Sequence, residues 1–255
     1  MLAPTIAPDL KGVVPGAVPV VTAPFALVQR FCGEVVEIGG ILTASGPGGA
    51  GKTYAVSYWS DRASVPVIRL HLGDRIRGNE LLRTILAKLG EPTDGNGAIL
   101  LERVRAALAD RRLVIFVDEA NLLNREALRQ LRYLHDQRDA RFALVFTGVD
   151  FDEAFAGVPE FASRVARRVT FGPLTGAALL TTLAANHGVF AATETGVLQA
   201  IDAQYAKGLW RHWENVLAIA LAAGATAETG ISMAVARGSL GAIVGGAPAR
   251  KRGRR

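Results

Sequence analysis

The octapeptide Gly46-Pro47-Gly48-Gly49-Ala50-Gly51-Lys52-Thr53 fits the pattern G-x-x-x-x-G-K-[ST]. In that pattern the glycines let backbone N–H groups turn inward around a phosphate chain. Lys52 is then spaced to reach β- and γ-phosphate oxygens, and the Thr53 hydroxyl to hold magnesium. The candidate nucleotide-binding residues are therefore Gly46, Pro47, Gly48, Gly49, Ala50, Gly51, Lys52, Thr53 and Tyr54. Farther along, Leu113-Val114-Ile115-Phe116-Val117 ends in Asp118-Glu119. The apolar run suits a parallel strand buried on both faces, which delivers its last residues to the carboxyl edge of the sheet, where ligands bind. Asp118 is expected to share the magnesium shell with Thr53. Glu119 is expected to orient and deprotonate a water attacking the γ-phosphate, the step that separates a hydrolase from a nucleotide binder. The cofactors implied are ATP and Mg2+.

Each motif has a plainer explanation: a glycine-rich surface turn for the first, a solvated carboxylate at a strand tip for the second. The flanking order disfavours both. Ile41–Ala44 is apolar and partly β-branched, and Lys52–Ser60 lacks Gly and Pro, so strand, loop and helix follow in the required sequence. Around them the pattern predicts a short helix over Phe25–Cys32 and a first core strand over Val35–Ala44. It continues with a strand over Val65–Leu72, helices over Glu80–Leu89 and Ala98–Ala109, a helix over Glu126–His135 and a strand over Phe142–Thr147. Alternating strands and helices predict an α/β fold with a mainly parallel sheet sandwiched by helices. Beyond Pro173 only helical signals remain, over 177–186, 194–206, 210–223 and 232–240, which predicts a small all-helical subdomain. The expected organisation is an extended arm over 1–24, a P-loop core over 25–172, a helical lid over 173–240 and a basic, disordered tail over 241–255.

With 255 residues and 50% hydrophobic content, the chain is long enough for one α/β core and a helical appendage. Cys32 is the single cysteine, so no intrachain disulfide forms and a reducing cytoplasm fits best. His71, His135, His187 and His212 are scattered without metal-ligand spacing. Five prolines and two charges in the first 24 residues argue against a signal peptide or a membrane span. The net charge of +6 is local: Arg250, Lys251, Arg252, Arg254 and Arg255 supply five of the 29 basic residues, against 23 acids. A tail of that composition reaches for phosphates as a flexible polycation, or else serves as a solubilising end.

The order of these parts resembles AAA+ ATPases, with Gly46–Thr53 as Walker A, Asp118-Glu119 as Walker B, Thr147 as sensor 1 and a helical lid behind. The stretch DEANLLNREALRQLRYLHDQRDARFALVFTG, Asp118–Gly148, looks most like the ATPases that regulate DNA transposition, the MuB, TniB and TnsC group, with ExeA-type secretion ATPases close by. The likeness covers roughly residues 25–240. It implies an arginine finger at Arg164, serving a neighbouring subunit's site, with Arg167 and Arg168 as competitors. It implies a sensor 2 at Arg211, within Gly208-Leu209-Trp210-Arg211, and a water-orienting role for Thr147, where many members carry asparagine. A guanidinium near the γ-phosphate would stabilise charge spreading over its equatorial oxygens. The loop Gly73–Asn79, carrying Arg75 and Arg77, matches where related ATPases project toward nucleic acid; an ordinary exposed loop is the alternative. With Arg250, Lys251 and Arg252 it forms the candidate nucleic-acid surface, which would read backbone rather than base sequence. The function implied is an ATP-dependent, oligomeric ATPase on double-stranded DNA, in a ring or filament, that selects transposition targets and recruits a transposase or other recombination protein. A nucleotide-gated adaptor in secretion or signalling, or a helicase loader, is the alternative. No membrane role is implied.

Overall fold

The computed structural model describes residues 14–151, 155 and 157–238. Contacts divide the chain into two compact units: one spans Ala23–Gly172, and the other gathers the segments before and after it.

In the first unit a five-stranded sheet runs in the order β2-β3-β4-β1-β5, every pairing parallel. Its strands are β1 (Ile41–Ser45), β2 (Val67–His71), β3 (Val114–Asp118), β4 (Ala143–Gly148) and β5 (Val165–Thr170). Because β3 and β4 lie inside the sheet and are buried on both faces, their sequences are continuous apolar runs rather than alternating ones. One face packs Ile68, Leu70, Ile115, Val117, Leu144 and Phe146 against α3 (Gly78–Leu89), α4 (Gly97–Leu108) and α5 (Arg125–His135). The strand residues of opposite parity, among them Leu42, Ala44, Phe116 and Val145, are buried but lie outside that cluster. They belong to the face covered by α1 (Ala23–Ile38) and α2 (Lys52–Ser60), which contact β1, β4 and β5.

Two elements differ from the sequence expectation. Residues 35–38 continue α1 instead of opening β1: Val28, Cys32, Val35 and Val36 recur at helical spacing and are all buried. Gly39, with φ 59°, ends the helix, and the strand starts at Ile41. The edge strand β5, Val-Ala-Arg-Arg-Val-Thr, was not foreseen. It pairs with β1 along one side only, and of its six residues Val169 alone is buried.

The second unit has its own core, in which Leu179, Leu183, Phe190, Leu198, Trp213 and Leu217 cluster. Phe190 and Trp213 meet edge-to-face with centroids 5.4 Å apart. Residues 14–22 dock on this unit: Val14 and Ala17 pack against its core, and Val18 exchanges hydrogen bonds of 2.8 Å with the Asn186 backbone and side chain. Asp202–Ala206 forms a π-turn closed by left-handed Lys207 and Gly208, and the Gly208 N–H donates to Asp202 Oδ1 at 2.6 Å. The helix Trp210–Ala222 follows, so this joint fixes where Arg211 begins its turn. No helix among the described residues is long and apolar enough to cross a membrane.

Candidate nucleotide site

Parallel pairing puts the carboxyl ends of β1, β3 and β4 at one edge, so the chemistry-bearing residues that follow them become neighbours although far apart in sequence. The loop after β1 turns on Gly46 (φ 141°), Gly49 (φ 79°) and Gly51 (φ 98°), a backbone open to glycine and strained for other residues. Gly46 is demanded twice, since a Cβ there would run into the Phe171 carbonyl at the end of β5. Its N–H is anchored to the Val149 carbonyl at 3.2 Å, just beyond β4. Nothing lies within 4 Å of a Cβ placed on Gly48, so the loop's mouth has room beside it. Gly51 caps α2 without a side chain, in a left-handed conformation that starts the helix at Lys52. The Lys52 ammonium, with the residue only 6% exposed, donates to the Gly46 and Pro47 carbonyls at 2.8 Å each. The Tyr54 ring instead packs toward Phe25 and Tyr58, with centroids 6.2 and 6.4 Å away, joining α2 to α1.

The centre of the site is the Asp118 carboxylate, 8% exposed. Its Oδ1 accepts from Thr53 Oγ1 at 2.8 Å, from the Glu119 N–H at 3.2 Å and from the Thr147 hydroxyl. Its Oδ2 faces His71 Nδ1 at 3.1 Å. A carboxylate only accepts, so the imidazole must carry its proton on Nδ1. Three sequence-predicted residues, Thr53, Asp118 and Thr147, thus come together as one cluster. Thr147 is fully buried and spends its proton on Asp118, which makes it a support for that carboxylate rather than a group aimed at solvent.

Glu119 sits beside the cluster in a left-handed conformation, φ 58° and ψ 41°, which turns the chain from β3 into the short 3-10 helix Ala120–Leu122. Its carboxylate is half-buried and has no hydrogen-bond or ion-pair partner among the described residues. Asn121, on that 3-10 helix, accepts from the Val149 N–H at 3.2 Å and ties the turn to the end of β4.

The sequence reading missed His71. The signal lies in the sheet and not in the chain order: β2 and β3 are adjacent with His71 opposite Asp118 in register, so two side chains at aligned strand ends point to the same face.

The remaining candidates lie elsewhere. Arg164 precedes β5, whose Val165 pairs with Ile41 at the start of β1, so it occupies the amino edge, about 20 Å along the sheet from the loop. There it bonds Asp136 and the Glu160 carbonyl. Arg167 pairs with Glu34 at 2.7 Å and lies over the Phe31 ring, while Arg168 donates to the Ala162 carbonyl at 3.0 Å. Arg211 is exposed in the first turn of its helix in the second unit. Arg75 and Arg77 flank buried Ile76, whose N–H donates to the Leu122 carbonyl at 3.2 Å and which bridges Leu123. Both arginines are exposed, and neither forms an ion pair among the described residues. Arg250, Lys251 and Arg252 lie outside the described residues.

The donor set fits a magnesium-bound nucleotide. Thr53 and Asp118 supply hard oxygen donors already 2.8 Å apart, which suits Mg2+, and the glycine loop offers amides and a cation for phosphate.

Residues 37–155 match the family described as the AAA domain, a span that includes the loop, both acids and Thr147. Among curated proteins, no sequence matches the chain. Solved structures do resemble it. The ORC2 protein of Aeropyrum pernix, in its ADPNP-ADP complexes, superposes with a TM-score of 0.63 at 17% identity, covering 91% of this chain and 70% of that one. The ORC1 protein of the same organism, in complex with DNA, gives 0.65 at 18% identity over 88% of this chain and 66% of that one. The RuvB Holliday junction branch migration motor of Thermotoga maritima gives 0.54 at 15% identity over 85% and 66%. The fold is that of the AAA+ P-loop ATPases: a five-stranded parallel sheet flanked by helices, followed along the chain by a helical region.

Proposed function

We propose that this chain is a magnesium-dependent ATPase that assembles on duplex DNA and regulates transposition by selecting targets and recruiting a transposase. The observation that carries the catalytic half is the Thr53–Asp118 pair, 2.8 Å apart beneath a glycine loop and next to an unpaired Glu119 carboxylate. Thr53 and Asp118 hold the metal, which when bound neutralises charge on the β- and γ-phosphates. The loop amides and Lys52 bind the phosphate chain, and Thr147 keeps the Asp118 carboxylate in place. Glu119 takes the proton of the attacking water. Arg211 contacts the γ-phosphate from the lid.

Arg164 completes the site of a neighbouring copy, which makes hydrolysis a property of the assembly. Duplex DNA is held by Arg75 and Arg77, exposed on either side of an anchored Ile76, together with Arg250, Lys251 and Arg252 of the tail. The likeness to proteins solved with DNA or described as a branch migration motor supports a nucleic-acid partner.

Turnover and duplex binding test the two halves separately. Glu119→Gln should lower turnover by about 10²–10⁴ while nucleotide binding persists. Adding Arg164→Ala subunits to wild type should depress activity beyond simple dilution. Affinity for random duplex should fall with salt, and Arg75→Ala and Arg77→Ala should each reduce the slope of log affinity against log salt by about 1. Turnover without any nucleotide-dependent duplex binding would instead favour the adaptor reading.

A further inference from the structure

Asp118 is gripped from two sides. Thr53, Thr147 and the Glu119 N–H all crowd Oδ1, and without another partner the carboxylate plane would be fixed at one oxygen alone. His71 supplies the second point through Nδ1 to Oδ2 at 3.1 Å. The contact is built into the sheet: His71 is paired with Asp118 in register, and the Leu72 N–H donates to the Asp118 carbonyl at 3.3 Å just beyond. The imidazole is otherwise a surface group, its side chain 75% exposed, so it adds little to the core. A polar ring held at a buried carboxylate, with most of its own surface in water, is placed for that carboxylate and not for packing.

We propose that His71 is a positioning residue that fixes the plane of the Asp118 carboxylate for the magnesium of a bound nucleotide. This rests on the metal reading of Thr53 and Asp118 above. Outer partners that orient a ligating group are typically worth a factor of 10–100 in metal affinity. The donor atom matters more than the ring. Asparagine places an amide N–H at the δ position that Nδ1 occupies, whereas alanine leaves Oδ2 without its partner.

Free Mn2+ measured by electron paramagnetic resonance, at one fixed pH with one equivalent of ADP, tests this. The Mn2+ Kd should weaken about 10- to 100-fold in His71→Ala and stay within about threefold of wild type in His71→Asn. ADP affinity in EDTA should be the same in all three, which separates a metal effect from a folding defect. An unchanged Mn2+ Kd in His71→Ala overturns the proposal, as does an asparagine variant as weak as alanine. If wild type binds ADP but no Mn2+ with it, the magnesium assignment of Thr53 and Asp118 falls too.

Discussion

Replacing Glu119 by glycine should abolish hydrolysis and at the same time make the protein harder to unfold. Glu119 is one of three non-glycine residues with positive φ among those described, and its φ of 58° and ψ of 41° lie in the left-handed region. An L side chain there costs about 1–2 kcal/mol. Glycine removes that strain but returns about 0.5–1 kcal/mol through the greater freedom of its unfolded chain. The net expected gain is about 0.5–1 kcal/mol, or about 1–4 °C in Tm for a chain of this size. Glu119→Gln is the matched control, because it removes the carboxylate yet keeps a Cβ and the strain. Both variants retain the backbone N–H that donates to Asp118 Oδ1. Urea and thermal unfolding without nucleotide read the stability, and phosphate release reads turnover, which should drop by about 10²–10⁴ in each. A glycine variant that unfolds at or below the glutamine variant would refute the strain reasoning.

Gly46→Ala should cost about 1–3 kcal/mol of stability and most nucleotide affinity, because φ 141° and the nearby Phe171 carbonyl both exclude a Cβ; denaturation and ADP binding measure the two effects. Burial pushes the Cys32 thiol up to about 12, so alkylation at pH 8 should be blocked in the native protein and proceed only on unfolding; rapid native labelling would contradict its place in the core. Burial lowers the pKa of His135, an effect opposed by the Gly39 carbonyl and Asp136 and reinforced by Arg164. The unfolded chain therefore binds more protons near pH 6, so this contribution is complete above about pH 6.5 and lost as pH falls below it. His135→Gln, which keeps a donor for the Gly39 carbonyl 2.7 Å from Nε2, should flatten the stability-against-pH slope below pH 6.5; an unchanged slope would place the titration elsewhere.

The interior of the sheet could be read from sequence because burial on both faces leaves little choice of residue: Val114–Val117 and Phe142–Phe146 are apolar for that reason. The loop was legible for a different cause, since its backbone angles admit few residues besides glycine. Edge strand β5 escaped because most of its side chains meet solvent or helix, so Arg167 and Arg168 break any apolar pattern. The start of β1 was misplaced because Val35 and Val36 suit a strand by composition, and their helical spacing emerges only when Val28 and Cys32 are counted with them. His71 was invisible as a site residue because its partner lies 47 positions away, and only the register of two strands brings them together.

That same parallel geometry separates the three arginines that compete for the finger role. Any residue preceding a strand lies at the edge opposite the glycine loop, so the finger role proposed for Arg164 would require a phosphate on another copy of the chain. Arg167 and Arg168 fall within β5, where one is committed to Glu34 and Phe31 and the other to the Ala162 carbonyl. Arg164 is committed as well, to Asp136, yet that carboxylate also faces Arg132 at 3.9 Å. If Arg164 swings out toward a neighbour's phosphate, Asp136 keeps a cationic partner and no carboxylate is stranded. With both Arg164 and Asp136 about one-third exposed, the exchange takes place at the surface, where losing an ion pair costs about 0–1 kcal/mol. Release of Arg164 also gives up its hydrogen bond to the Glu160 carbonyl, and release of Arg167 gives up an ion pair and a ring contact although Glu34 keeps Arg30 at 3.4 Å. Arg168 is held by one hydrogen bond only among the described residues, so Arg164 is set apart by its place ahead of β5 and not by the cost of its release.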